Sequence, residues 1–313
     1  MKKIAVVATL LVLGVLYTHI DLGSLLQRLQ GLQKGIFALA VACFIPQVLV
    51  TVWRWQWMVA DVYPMGTLEA IKLIMAGKAL NALLPSKLGE TSKAYFLKTH
   101  AAVPLPQGVA LVVLEKILDV AGLCAMMLGG LLLHAQRGAL EALAMLMAVA
   151  ALSVTTGMMT CRLNSVQRWL PRQGHLVRRV VALLESWDAI LARWRKQHVR
   201  FAGIVGLSCL LWGLHLAQIT LFFLALHSQV PLHVIFAYVP LSIFIGLLPL
   251  TLGGMGTRDS ALIFLFAPYE SAVVMASIGL LCSLRYWLDS LVGLPFFHAC
   301  TMVKSSAIGS RVA

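Results

Sequence analysis

Leu247-Leu248-Pro249-Leu250-Thr251-Leu252-Gly253-Gly254-Met255-Gly256-Thr257-Arg258-Asp259 puts a proline, three glycines and a charge pair inside an otherwise apolar region. Backbone that leaves the helix at membrane depth must be buried in protein or line a wet cavity, because its free N–H and C=O groups find no water in lipid. A shorter version of the phrase stands earlier, Leu83-Leu84-Pro85-Ser86-Lys87-Leu88-Gly89-Glu90. Each copy is followed by a second matching phrase, Leu118-Asp119-Val120-Ala121-Gly122-Leu123 and then Leu288-Asp289-Ser290-Leu291-Val292-Gly293-Leu294. The chain therefore reads as two related membrane halves, roughly 35–135 and 201–303, each carrying one broken helix.

Composition agrees. Of 313 residues 60% are hydrophobic and 12% charged, against roughly a quarter charged in soluble domains, and the mean hydropathy is +0.88. This is the composition of one integral membrane domain over 1–313, with no room for a separate soluble catalytic domain. The six cysteines are scattered singly, with no CxxC or Cys/His ligand spacing, so no metal or other cofactor is expected. The net charge of +13 sits in loops beside apolar runs. It signals topology and attraction to anionic headgroups rather than nucleic-acid binding.

Taken in order, Lys2 and Lys3 followed by Ile4 to Ile20 predict a retained first span with a cytoplasmic start, and residues 21–34 a short amphipathic segment. Ile36 to Ala60 predict a second span ending in Trp53-Arg54-Trp55-Gln56-Trp57, read as an interfacial anchor with Arg54 snorkelling to the headgroups. Around the first Leu-Leu-Pro break neither arm has the ~20 apolar residues a crossing needs, which predicts a re-entrant hairpin. Residues 107–134 and 139–160 predict two further spans. Residues 161–200 are basic and expected to be cytoplasmic, with Leu183, Leu184, Trp187, Ile190, Leu191 and Trp194 at helical spacing. That stretch predicts an amphipathic helix on the membrane surface. Phe201 to Leu226 cross next, Val234 to Leu248 and Gly256 to Phe266 form the second hairpin, and residues 270–303 the last span.

The expected fold is thus all-α and polytopic, with about six full spans plus two re-entrant helical hairpins. Three spans separate the hairpins, and an odd number turns the second half over. An inverted repeat with discontinuous helices points to a site near the midplane and to alternating access. The expected location is a bacterial cytoplasmic (inner) membrane, with both termini cytoplasmic.

Candidate site residues follow from chemistry. Gly253, Gly254 and Gly256 allow tight turns and close approach to a ligand. A helix restarting near Thr257 aims free N–H groups and the positive end of its dipole at an anion, and Arg258 adds a fork suited to phosphate. Asp259 orients Arg258 or complements the helix start. The alternative is a glycine-rich turn with a local ion pair. In the first copy Lys87 and Glu90 lie on the break, as binding groups or as charges snorkelling at the cytoplasmic face. Glu115 and Asp119 share a helix face, as do Arg285 and Asp289 on the matching helix. Facing one another, these four form a buried charge network, bind a cationic headgroup, carry a proton, or simply pair the helices.

With these phrases in place, the chain resembles the family of lysylphosphatidylglycerol synthase transmembrane regions. The resemblance rests on Asn81-Ala82-Leu83-Leu84-Pro85-Ser86-Lys87-Leu88-Gly89-Glu90, on Glu115-Lys116-Ile117-Leu118-Asp119, and on Leu248-Pro249-Leu250-Thr251-Leu252-Gly253-Gly254-Met255-Gly256-Thr257-Arg258. The family commonly has Arg-Glu after the glycines and Glu-Arg in the middle phrase, where this chain has Arg258-Asp259 and Glu115-Lys116. The resemblance implies a stand-alone flippase-like domain without the soluble transferase part. It implies movement of a membrane lipid between leaflets, such as an aminoacyl-phospholipid, a polyprenyl-linked sugar or a hopanoid-type lipid, rather than its synthesis. Competing expectations are a proton-coupled small-solute transporter and an assembly partner for lipid-biosynthesis enzymes. An enzyme is not expected, since no nucleophile-base, paired-aspartate or nucleotide motif is present.

Overall fold

Proline and glycine divide the apolar chain into helices of two lengths, long ones and paired short ones. The structure is a computed structural model that describes residues 2–18, 20–83, 89–133, 138–161, 174–247, 251 and 254–296, and among these all regular structure is helical. Helix α1 (Lys2–Thr18) is followed by α2 (Leu22–Gln30), whose start Asp21 caps by accepting from the Gly23 and Ser24 N–H groups at 3.0 and 3.1 Å. Helices α3 (Lys34–Ala42) and α4 (Phe44–Val59) continue one another through Cys43. Helices α5 (Thr67–Leu83) and α6 (Ser92–His100) flank the first break. Then come α7 (Leu105–Leu133), α8 (Ala139–Thr160), α9 (His175–Lys196) and α10 (His198–Ala225). Helices α11 (Leu232–Gly246) and α12 (Thr257–Phe266) flank the second break, and α13 (Ala272–Gly293) closes with a 3-10 turn, Leu294–Phe296.

Among the described residues four helical stretches are long and apolar enough to cross a membrane, Lys34–Val59, Ala139–Thr160, His198–Ala225 and Ala272–Phe296. Helix α7 is longer, 29 residues, but carries Glu115, Lys116 and Asp119. The 15 residues of α11 rise only about 22 Å at 1.5 Å per residue, short of the ~30 Å hydrocarbon core. The 10-residue α12 is shorter still. The arms of the second break are too short to cross singly, as the sequence predicts.

Two buried clusters organise the packing. One gathers α4, α5, α6 and the N-terminal half of α7 around Trp55, Leu73, Leu97, Leu111 and Leu114. The other gathers α8, α10, α11, α12 and α13 around Met127, Phe222, Phe223, Tyr238 and Phe266. Helix α5 lies on α13, α11 lies on α7, and α4 lies on α10. The approach of α11 to α7 requires Gly130, where a side chain would collide with the Phe236 backbone.

Helix α9 corrects one expectation. Its apolar stripe is buried against protein: Trp187, Ile190, Leu191 and Trp194 are at most 3% exposed and join the cluster around α7. The Trp187 indole N–H donates to the Met158 carbonyl at 3.3 Å and Arg195 to the Thr160 carbonyl at 3.0 Å. The stripe that suits a lipid surface equally suits a helical neighbour, and here α7 takes it.

Candidate functional site

A cavity of about 200 Å³ opens between the two clusters, walled by α4, α5, α6 and α7 on one side and by α10, α11, α12 and α13 on the other. Six basic side chains line it (Arg54, Lys78, Lys93, Lys116, Arg258 and Arg285) with four acidic ones (Glu90, Glu115, Asp119 and Asp289). Ionisable groups inside a membrane bundle cost several kcal/mol unless paired, so their partners decide what the cavity can hold.

The first set is a closed network. Arg54 donates to Glu115 at 2.9 Å and to Asp119 at 2.5 Å, and reaches Ser208 at 3.3 Å. Lys93 donates to both Glu115 oxygens at 2.9 and 2.8 Å and lies 3.7 Å from Glu90. Its ammonium also sits over the Trp55 ring, 4.8 Å from the centroid. Lys116 bridges Asp119 at 2.9 Å and Glu90. Three cations meet three carboxylates, and Arg54, Lys93 and Glu115 are at most 2% exposed.

Arg54 overturns the reading of the Trp53–Trp57 segment. Trp53 and Trp57 do face outward, 49% and 42% exposed, but Trp55 is fully buried and Arg54 is 1% exposed. The residue points into the bundle, held by carboxylates 61 and 65 positions away. No local signal distinguishes that from a snorkelling arginine. The structure also departs from the expected meeting of Glu115 and Asp119 with Arg285 and Asp289. Asp289 instead accepts from Lys78 at 2.5 Å, joining α13 to α5.

At the second break Arg258 lines the cavity, yet much of its guanidinium is committed to the protein. Its Nε and Nη2 donate to Asp259 at 2.9 and 2.6 Å, and Nη2 also donates to the Gly279 carbonyl and the Ser283 hydroxyl, both at 2.9 Å. Asp259 fills both roles expected of it, holding Arg258 and accepting the Gly256 N–H at 3.0 Å to start α12. It stands behind Arg258 rather than on the cavity wall. Gly254 lines the cavity at φ +77°, and a side chain there would meet the Gly246 carbonyl oxygen at 2.6 Å. Gly256, at φ +92°, does not line it: a side chain there would meet Val12 of α1 at 2.8 Å. Lys87 and Gly253 lie outside the described residues.

Of the sequence-derived candidates, then, Glu90, Glu115, Asp119, Gly254, Arg258, Arg285 and Asp289 converge on one cavity. Sequence reasoning missed Arg54, Lys78, Asn81, Trp212 and His215 as wall residues. Asn81 belongs to the first phrase that carries the family resemblance, a usable signal; Lys78 lies in the first arm of the first break, and the others sit in ordinary spans.

The family profile described as Lysylphosphatidylglycerol synthase TM region matches residues 3–293. A UPF0104 membrane protein of Methanothermobacter thermautotrophicus is 25% identical over 264 residues, 76% of this chain and 78% of that relative. No solved structure matches the chain. The chain belongs to the lysylphosphatidylglycerol synthase TM region family and is a membrane protein.

Proposed function

We propose that this member of the lysylphosphatidylglycerol synthase TM region family moves a lipid with an anionic headgroup from one leaflet to the other, the headgroup passing through the central cavity. The observation that carries the proposal is the cavity itself, walled by ten charged side chains within an apolar helical bundle. A phosphate-bearing headgroup leaving water needs such a wall, because fixed cations and dipoles replace its hydration at membrane depth.

We read the two halves as an inverted repeat, and three features support this. Helices α5 and α6 begin at Thr67 and Ser92, α11 and α12 at Leu232 and Thr257, 165 residues on in both cases. The packing is exchanged between halves, α5 on α13 and α11 on α7. Each break is pinched by paired glycines, Gly77 against Gly89 and Gly246 against Gly254. Helices α7, α8 and α10 lie between the breaks, and one crossing by each turns the second half over. The hairpins then enter from opposite faces and can rock around the cavity in turn. By the positive-inside rule the basic segment 161–200 faces the cytoplasm of a bacterial inner membrane, and we place both termini on that side.

The test is lipid translocation by the purified protein in liposomes containing acyl-labelled phosphatidylglycerol, with and without an imposed proton gradient. Label in the inner leaflet should become accessible to a membrane-impermeant quencher faster than in protein-free liposomes. Equal rates under both conditions contradict the proposal.

A further inference from the structure

The geometry points to a bipartite lipid site centred on Arg285, with the anionic headgroup in the cavity and one acyl chain in an apolar groove between α3, α4, α10 and α13. This deepens the lipid reading above and rests on it.

Charge bookkeeping isolates the headgroup contact. Among the described residues Arg54, Lys93 and Lys116 are matched by Glu90, Glu115 and Asp119, Lys78 by Asp289, and Arg258 by Asp259. Arg285 alone of the cavity cations has no carboxylate within ion-pair distance among these residues. Its Nη1 donates to the Gln218 side-chain oxygen at 2.9 Å and lies 3.4 Å from His215 Nδ1. Gln218 is 1% exposed and immobilised by Gln47, which donates to it at 2.9 Å, and by the Ala40 carbonyl at 2.7 Å. The guanidinium is thus aimed by one edge, leaving the other edge of its fork for a ligand oxygen pair.

The groove supplies the second half. A separate space of about 140 Å³ is lined by apolar side chains that include Phe37, Phe44, Phe222, Leu281 and Leu288, and it shares Arg285 and Asp289 with the cavity. Its outer rim, Val292, is 48% exposed. An unmatched cation at the inner end of an apolar slot fits an amphiphile, not a free solute. The occupant is an anionic phospholipid entering sideways from the bilayer.

Native mass spectrometry of the purified protein with phosphatidylglycerol tests this, with Arg285→Gln, Leu288→Trp and Val292→Trp as variants and glycerol phosphate as soluble competitor. Retention should fall about tenfold or more in Arg285→Gln, the loss of one charge-assisted contact, and similarly where tryptophan fills the groove. Excess glycerol phosphate should not displace the lipid. If Leu288→Trp fails to fold, Val292→Trp on the exposed rim carries the groove test. Wild-type retention in Arg285→Gln, or in the folded groove variants, overturns the bipartite site while leaving a lipid cargo standing. Selective binding of glycerol phosphate, with no enrichment of phosphatidylglycerol over phosphatidylcholine in the wild type, overturns both proposals and favours a small solute.

Discussion

Glu115 holds two cations in place by accepting from Arg54 and Lys93 while 1% exposed. Removing one member of a buried ion network leaves the others charged and unsolvated, which costs more than the intact network gains. Glu115→Gln is therefore expected to destabilise the protein by about 3–5 kcal/mol, read as chaotrope or thermal unfolding in detergent. Lys116 is the contrasting case. Its side chain is 40% exposed, so water can screen what its removal leaves behind, and Lys116→Gln is expected to cost about 1 kcal/mol or less. Equal losses in the two variants would mean that the network is wet throughout. At this scale the acidic members were legible, because carboxylates in an apolar run demand partners. The partners were not, since Arg54 read locally as a snorkelling boundary charge and only the fold brings it and Lys93 within 3 Å of Glu115.

At the scale of the element, the second broken helix depends on backbone that only glycine supplies. Gly254→Ala adds a methyl group at φ +77° facing the Gly246 carbonyl oxygen at 2.6 Å. The expected loss is about 1–3 kcal/mol for the strained backbone alone. Gly35→Ala, in α3 with nothing within 4 Å of the added carbon, is expected to be neutral or to stabilise by up to about 1 kcal/mol, as alanine does in a helix. Unfolding of both variants beside wild type checks the pair. Orientation is an element-scale prediction too. Single cysteines at Gly66, just before α5, and Leu232, the first residue of α11, both exposed, should label from opposite faces of the membrane in a background without native cysteines. Labelling from one face contradicts the inverted repeat. The long helices before the last were legible to within a few residues because an apolar run bounded by charges has few alternatives in lipid; the last, expected over 270–303, ends at Gly293, and 297–303 lie outside the described residues. What α9 packs against was not, because an amphipathic stripe states that it must be covered without saying by what.

For the whole molecule, two packed sets of helices enclose a charged cavity whose matched pairs hold the helices together, and we propose that its unmatched arginine meets a lipid. The family places the chain in a membrane, and the repeated phrases already directed attention to Glu90, Glu115, Asp119, Gly254, Arg258, Arg285 and Asp289. Sequence reasoning put the anion on Arg258. We propose Arg285 instead, because Asp259, Gly279 and Ser283 occupy the first guanidinium while no described carboxylate occupies the second. The Arg258–Asp259 pair is local and the sequence offered it as an alternative; the rest of the difference arises from the packing of α12 on α13, which brings Gly279 and Ser283 to Arg258, and of α13 on α10, which aims Arg285 at Gln218. The most direct measurement is photo-crosslinking in nanodiscs with phosphatidylglycerol bearing a photoreactive group on its headgroup, the adducts mapped by peptide mass spectrometry. The account predicts adducts on the cavity-facing peptides around Trp212 in α10 and Arg285 in α13. Adducts confined to outward-facing positions such as Leu146 and Phe264, 66% and 70% exposed, would contradict it.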